Sequence, residues 1–172
     1  MAQDTIEVRN QGSFPEDDPT RGLEHDHRYV RQLFDRYLTT RDQQVKQQAG
    51  PAICEALTMH TSLEEAIFYP RVQETDTALI ERCIEEHHDA EQIISQLQAM
   101  EAGKPDYDDL IQQLHEAIMD HIKAEEEQLF PAVRDSGLDL RELSLQMQAY
   151  ESNLIATAAR ESQATQRPEQ RS

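Results

Sequence analysis

Apolar residues recur at helical spacing in five stretches of the chain, and glycines and prolines separate these stretches. The apolar positions lie three, four or seven residues apart, as expected for one buried face of an α-helix. These faces are Leu23, Val30, Phe34 and Leu38; Ile53, Leu57 and Ile67; Ile80, Ile84, Ala90, Ile94 and Leu97; Ile111, Leu114, Ile118 and Leu129; and Leu140, Leu143, Met147, Tyr150 and Leu154. Because the connections are short, the pattern predicts an all-α fold, an up-down antiparallel four-helix bundle with an additional C-terminal helix.

The same pattern divides the chain into four segments. Residues 1–17 show almost no apolar periodicity and are predicted to form a flexible acidic lead. Residues 18–135 are predicted to form the bundle, and residues 138–160 the additional helix. Residues 161–172 are polar throughout, and we expect them to be disordered.

Glycine and proline predict where the helices begin and end. The breaks are placed at Pro15–Pro19, Gly50–Pro51, Pro70, Gly103–Pro105, Pro131 and Gly137. Asp18–Pro19 and Lys104–Pro105 resemble helix starts, because proline is favoured at the first helical position. Gly50 and Gly103 are placed where a glycine commonly follows the end of a helix.

The charge of the chain narrows the range of partners. Lys and Arg total 16 against 34 Asp and Glu, which gives a formal net charge of −18. Such a surface repels phosphate backbones and anionic lipids, so we expect no nucleic-acid and no membrane partner.

The first residues have neither the basic nor the apolar region of a secretory signal, and two cysteines are too few for a disulfide framework. These features predict a cytoplasmic protein.

Polar residues interrupt the apolar faces of all four bundle helices. Each face carries a histidine, and two faces also carry a glutamate four residues later; the residues are His27, His60, Glu64, His87, His121 and Glu125. A buried polar group without a partner costs about 1–3 kcal/mol, and an isolated charge costs more. Imidazoles and carboxylates are good ligands for first-row transition ions, so a metal centre would give all six a common partner. One ion would be saturated by six ligands, which favours two.

An internal repeat supports this interpretation. His60-x3-Glu64-Glu65 leads to Pro70, and His121-x3-Glu125-Glu126 leads to Pro131 at the same spacing. The third histidine has two candidates: the repeat offset points to His88, whereas the apolar phase of its helix points to His87, which we favour. Three histidines fall off the apolar faces and are expected at the surface: His25, His88 and His115. The aromatic residues, Tyr69 among them, are expected in the core.

These motifs resemble the hemerythrin-like HHE cation-binding family. The matching segments are Asp26-His27-Arg28, His60-x3-Glu64-Glu65 with Ile67-Phe68-Tyr69-Pro70, Glu86-His87, and His121-x3-Glu125-Glu126 with Leu129-Phe130-Pro131. The resemblance implies a four-helix bundle with two iron ions in an oxo- or hydroxo-bridged non-haem centre. It implies that the four histidines are terminal ligands and that Glu64 and Glu125 bridge the irons.

The sequence departs from the oxygen-carrying hemerythrins of marine invertebrates. The residue four positions after His87 is Glu91 instead of a histidine, and the last helix offers His121-x3-Glu125 instead of His-x4-Asp. Glu91 is kept as a candidate additional ligand. The resemblance therefore implies binding of O2, NO or H2O2 in an oxygen or oxidative-stress response, at least as much as reversible oxygen carriage.

Two functional hypotheses remain open at this point. In the first, the iron pair binds a small ligand, and any enzyme activity would be that of a peroxide-consuming or oxidase-type oxidoreductase. In the second, the protein is an iron- or redox-status sensor or an iron-handling module without turnover. The additional helix, residues 138–160, is a candidate surface for a homo-oligomer or a protein partner.

Overall fold

The computed structural model describes residues 14–165, with side chains to residue 163, and every regular element in that part is helical. The α-helices are α1 (Pro19–Thr39), α2 (Gln43–Leu63), α3 (Tyr69–Val72), α4 (Thr77–Gln98), α5 (Pro105–Ala124), α6 (Phe130–Asp135) and α7 (Leu140–Thr165). Two π-helical segments, π1 (Glu64–Phe68) and π2 (Glu125–Leu129), join α2 to α3 and α5 to α6.

The four long helices α1, α2, α4 and α5 form the predicted up-down bundle. Helix α1 packs on α2, α4 packs on α5, and α2 lies against α4. Helix α7 is the predicted additional helix, and it packs across α1, α2 and π1. Across residues 14–165, we find no helix with the length and apolar character needed to cross a bilayer.

Both predicted proline starts are confirmed. Helix α1 begins at Pro19, and the Asp18 side chain accepts a hydrogen bond from the backbone N–H of Thr20. Helix α5 begins at Pro105, directly after Lys104. A proline is tolerated at a first helical position because the missing N–H would have no partner within the helix there.

The predicted break at Gly50–Pro51 is wrong, because both residues lie inside α2. The chain instead breaks before Gln43, where the Asp42 side chain accepts from two backbone N–H groups and caps the helix. Gly50 serves a packing role: a Cβ atom there would lie 2.6 Å from the hydroxyl oxygen of Tyr107. Of the two predicted glycines, only Gly103 has a positive φ, +83°, and it lies in the turn before α5.

Pro70 and Pro131 do not end their helices as predicted. Each is preceded by a π-helical turn in which a backbone N–H reaches back five residues, from Tyr69 to Glu64 and from Phe130 to Glu125. A proline inside an α-helix clashes with the carbonyl four residues earlier. The extra residue in the preceding π-turn displaces that carbonyl and relieves the clash. The helical segment therefore continues through the proline.

A polar layer divides the core into two apolar clusters. Val30, Leu57 and Ile118 belong to the first cluster, at the end where α1 meets α2. Leu23, Leu63 and Leu129 belong to the second, where α7 packs. His27, His60 and His87 each lie between a member of one cluster and a member of the other along their helices. The six predicted polar residues therefore lie where the two clusters meet. Leu38, predicted on the buried face of α1, is instead 37% exposed, because its neighbour Tyr37 fills the core.

The described chain includes the last residues of the predicted lead and the first residues of the predicted tail. Phe14 is buried against Gly22, and the backbone oxygen of Pro15 accepts a hydrogen bond from Ser144. Helix α7 continues to Thr165. The rest of the predicted lead and of the predicted tail lies outside the described residues.

We expect Gly50→Ala to destabilise the protein by about 1–3 kcal/mol, because the added methyl group overpacks the contact with Tyr107. This loss exceeds the roughly 1 kcal/mol by which alanine favours a helix over glycine. Urea unfolding followed by circular dichroism would measure the difference. Adding Tyr107→Phe should recover part of it; no recovery would indicate that Gly50 acts through its backbone conformation instead.

Candidate metal centre

All six residues predicted as ligands lie together in the interior of the bundle. Their exposed fractions are 5% for His60 and 2% or less for the others, and both carboxylates are fully buried. His27 comes from α1, His60 from α2, His87 from α4 and His121 from α5. Glu64 and Glu125 are the first residues of π1 and π2.

The four imidazoles meet in two pairs through their Nε2 atoms. The Nε2 atoms of His27 and His60 are 3.1 Å apart, and those of His87 and His121 are also 3.1 Å apart. Glu64 lies between the pairs, with Oε1 3.3 Å from His60 Nε2 and Oε2 3.3 Å from His87 Nε2.

Glu125 lies between the pairs in a different way. Its Oε2 atom is 3.2 Å from His27 Nε2 and 3.3 Å from His121 Nε2. Its Oε1 atom accepts a hydrogen bond from the hydroxyl of Tyr69. One oxygen of Glu125 therefore faces both imidazole pairs, whereas Glu64 offers one oxygen to each pair.

Carboxylates outside the cluster fix the orientation of three imidazoles. The Nδ1 atoms of these rings lie 2.9–3.0 Å from a carboxylate oxygen, in the pairs His27–Glu126, His87–Glu65 and His121–Glu86. An ionised carboxylate only accepts, so each Nδ1 is the donor. A neutral ring that donates from Nδ1 has its lone pair on Nε2, which points into the centre.

The fourth imidazole is held more loosely. The Nδ1 atom of His60 lies 3.7 Å from Asp26, beyond hydrogen-bond distance. Among the described residues this atom has no hydrogen-bond partner, and neither do Glu64 Oε1 and Glu125 Oε2. The sequence did not identify Asp26 and Glu86 as acidic neighbours of the His60 and His121 imidazoles, although they directly precede His27 and His87 in the chain.

This donor set fits a metal cation. Lone pairs of neutral imidazoles and carboxylates converge in a dry interior, and two carboxylate oxygens there have no hydrogen-bond donor within residues 14–163. Buried acceptors without donors are costly, and a cation satisfies all of them at once. The six predicted ligands form two sets whose ligand atoms lie mutually within 4.8 Å: His27, His60, Glu64 and Glu125, and Glu64, His87 and His121.

The electrostatics of the cluster also favour positive charge. Burial lowers the pKa of His60, but Glu64 and Asp26 raise it to about 10. Burial likewise opposes the charged form of Glu125, yet its neighbours His121 and His27 hold its pKa well below the usual range. Burial also opposes the charged form of Glu64, but His60 and His87 lower its pKa. Both carboxylates are therefore ionised, and they attract a proton or a metal ion to the imidazoles.

Tyr69 is a site residue that sequence reasoning placed only in the core. Its hydroxyl lies 2.7 Å from Glu125 Oε1, 3.3 Å from Glu64 Oε2 and 3.4 Å from His87 Nε2. In an α-helix, residues five apart, such as Glu64 and Tyr69, point about 140° away from each other. The π-turn brings them to one side, and the available signal was the proline directly after the tyrosine.

A small cavity of about 10 Å³ adjoins the four histidines. Its apolar walls are formed by Val30, Leu57, Ile118 and Ile122. This space suits about one water-sized molecule. A small uncharged ligand therefore fits beside the imidazoles, on the side of the first apolar cluster.

The remaining histidines and Glu91 lie outside the cluster. His88 and Glu91 are exposed, so neither faces the centre. His25 and His115, expected at the surface, are instead half-buried. The ring of His115 packs edge-on against Phe34. Both cysteines, Cys54 and Cys83, are buried free thiols.

The chain matches a known domain family over most of the bundle. The family is described as the hemerythrin HHE cation binding domain, and it matches residues 18–133. In structure, the chain is similar to a hemerythrin HHE cation binding domain-containing protein from Mycobacterium kansasii, with a TM-score of 0.71 and 19% identity. That similarity covers 87% of this chain and 94% of the other, and it supports the fold.

A curated relative is a DNA nickase from Nostoc sp., 32% identical over 115 residues. The matched region is 64% of this chain and 32% of the relative. The chain therefore spans about a third of the length of this curated relative.

We expect Glu126→Gln to weaken cation binding by about 10–100-fold, because the carboxylate that orients His27 and increases its basicity is lost. Calorimetric titration of chelator-treated protein with Zn²⁺ would measure the change. Glu127→Gln is the matched control, since Glu127 is the exposed neighbour and removes the same charge from the surface. Equal affinities in the two variants would contradict a role for the outer carboxylates.

Proposed function

Since the chain belongs to the hemerythrin HHE cation-binding family, we propose that its buried cluster holds two iron ions that bind O2, NO or hydrogen peroxide. The observation that carries this proposal is the convergence of the four Nε2 atoms and two carboxylates within one dry layer. Imidazole and carboxylate together suit iron, although manganese and zinc accept the same ligands.

The arrangement of donors supports two ions over one. One set of ligand atoms comes from His27, His60, Glu64 and Glu125, and the other from Glu64, His87 and His121. Glu64 belongs to both sets, and Glu125 Oε2 also lies 3.3 Å from His121 Nε2, so the two carboxylates lie between the two sides. Within each set the imidazole nitrogens are 3.1 Å apart, close enough to serve the same ion. Two carboxylates alone leave net positive charge on two ferrous ions, which favours electron-rich or anionic ligands.

The protein groups around the centre define what it can do. The outer carboxylates keep the Nε2 lone pairs directed inward, and the two apolar clusters exclude water. The cavity beside the histidines has room for about one water-sized molecule, so only a very small ligand can enter beside the imidazoles. An iron pair, when bound, supplies electrons to such a ligand, and the protein contributes orientation and a dry environment.

A second candidate function is iron or redox sensing without turnover. The observation that favours it is the set of buried groups without hydrogen-bond partners among the described residues, since a cation that satisfies them stabilises the fold. Helix α7 packs directly on π1, which begins with Glu64. Loss of the cation would therefore alter the packing of α7, which is the candidate surface for a protein partner.

The proposed function of this chain does not include DNA nicking. The match to the Nostoc relative covers 32% of that protein. The net charge of −18 also opposes binding to a phosphate backbone. The proposed partners are small ligands, and a cytoplasmic location stays a prediction from the sequence.

Reconstitution with ferrous iron in the absence of oxygen should give about two iron ions per chain, as in other di-iron carboxylate bundles. Exposure to air should then produce near-ultraviolet charge-transfer absorption. His60→Ala and Glu125→Ala should lower the iron content, whereas His115→Ala should not, because its ring lies outside the cluster. Absence of iron in the unmodified protein would refute the proposal, and equal losses in all three variants would refute the assigned ligands.

Turnover distinguishes the two functions. For an enzyme, we expect rapid oxygen evolution from hydrogen peroxide that is lost with Glu125→Ala. For a sensor, we expect slow turnover and a large fall in the melting temperature on chelation, because a ligand at a thousand times its Kd stabilises a fold by about 4 kcal/mol. An oxygen electrode and thermal unfolding with and without chelator measure the two properties.

A further inference from the structure

A second, much larger cavity lies between α2 and the second half of α7. Its volume is about 560 Å³. Cavities that hold small organic molecules usually measure about 300–1,000 Å³. The α7 residues that line it follow helical spacing and so share one face of that helix: Leu154, Thr157, Ala158 and Glu161. Between residues 152 and 163, no side chain of α7 is buried, so this part of the helix encloses the cavity without filling it.

The cavity is separate from the candidate metal centre. On α2, Leu57 and His60 line the small cavity beside the histidines. Thr58 and Met59, their neighbours in the chain, line the large cavity. Because these pairs lie on different faces of α2, the helix separates the large cavity from the centre.

The inner wall of the cavity requires no hydrogen bond from a ligand. Leu97, Met100 and Tyr107 form this wall together with Cys54. The Tyr107 hydroxyl is hydrogen-bonded to the Cys54 thiol. Beside them, the Thr58 hydroxyl donates to the backbone oxygen of Cys54 at 2.8 Å. An apolar or aromatic body can therefore be buried here without leaving a polar group unpaired.

The exposed part of the lining is acidic. Glu55 and Glu161 both line the cavity and both are exposed, which places them at its mouth. Within residues 14–163, the lining includes no Lys, Arg or His. An anion at the mouth would meet two carboxylates, whereas a protonated amine would be attracted by both. The net charge of −18 acts in the same direction.

We propose that this cavity binds a small organic cation, with an apolar or aromatic body against the inner wall and a protonated amine near Glu55 and Glu161. Size, apolar lining and charge together specify this class of ligand. The inference goes beyond the proposed function, because the site lies on the other side of α2 and requires no metal ion. Its occupant would contact both α2 and the additional helix α7.

Three probes with one aromatic body test the class of ligand: 1-pyrenemethylamine, 1-pyrenemethanol and 1-pyreneacetate. The full chain is treated with chelator, so that the amine cannot bind a metal ion, and pyrene fluorescence and calorimetry follow binding. We expect the amine to bind at about one per chain. The alcohol should bind about two- to fivefold more weakly, and the carboxylate about tenfold more weakly, as expected for partly exposed charges.

A bulky residue on α7 tests the location. Ala158→Phe places a ring in the cavity from an exposed position of the helix, and it should weaken the binding of all three probes by about tenfold or more. Ala159→Phe is the matched control, because Ala159 is also exposed but does not line the cavity. It should leave the three affinities unchanged.

Removing one carboxylate at a time tests the role of charge. Glu55→Gln and Glu161→Gln should each weaken binding of the amine by about two- to fivefold and leave the alcohol unchanged. Glu85→Gln removes the same charge from an exposed position of α4 outside the lining, so it should change neither affinity. The glutamine variants test the proposal by themselves if Ala158→Phe fails to fold, as judged by circular dichroism.

Three results would overturn the proposal. The first is an absence of binding by the amine, which would mean that the cavity does not accept such a ligand in solution. The second is equal affinity of Ala158→Phe and Ala159→Phe, which would place the probe elsewhere. The third is equal affinity of the amine and the carboxylate, or an effect of Glu85→Gln as large as those of the two lining variants. None of these results bears on the iron content, so the proposed function is tested separately.

Discussion

The structure depends on one electrostatic constraint, the inward orientation of imidazole lone pairs. Glu126, Glu65 and Glu86 hold the Nδ1 atoms of three histidines, so the Nε2 atoms must face one another, at 3.1 Å within each pair. Two facing lone pairs repel each other unless positive charge lies between or beside them. The ionised Glu64 and Glu125 increase this need. Binding of a cation and stability of the fold are therefore two aspects of one interaction.

Much of this centre could be predicted from the sequence, because helical phase is a strong constraint. A residue three or four positions from apolar neighbours on both sides must face the core, which identifies His27 and His121 and favours His87 over His88. The orienting role of Glu86 could not be predicted in the same way. A half-exposed carboxylate has no place in the apolar periodicity, and its partner, His121, lies on another helix.

The sequence wrongly predicted helix ends at Gly50 and at Pro70. The cause is a tertiary contact at Gly50 and the local backbone at Pro70. Gly50 allows close approach of Tyr107 from a different helix, which no pattern within α2 encodes. Pro70 ends a helix only if the preceding turn stays α-helical, and the π-turn removes that condition. The same π-turn places the Tyr69 hydroxyl beside Glu64, so the residue that resembled a helix break helps to build the site.

Packing and chemistry constrain Tyr69 and Phe130 differently. An aromatic ring is required at both positions, since each fills the space beside an imidazole in the second apolar cluster. The hydroxyl contributes nothing to that packing, and burying it is costly unless it has an acceptor. Glu125 supplies the acceptor at one position. Because the ring satisfies the fold with or without the oxygen, a single atom can distinguish the two halves of a repeated structure without disturbing the bundle.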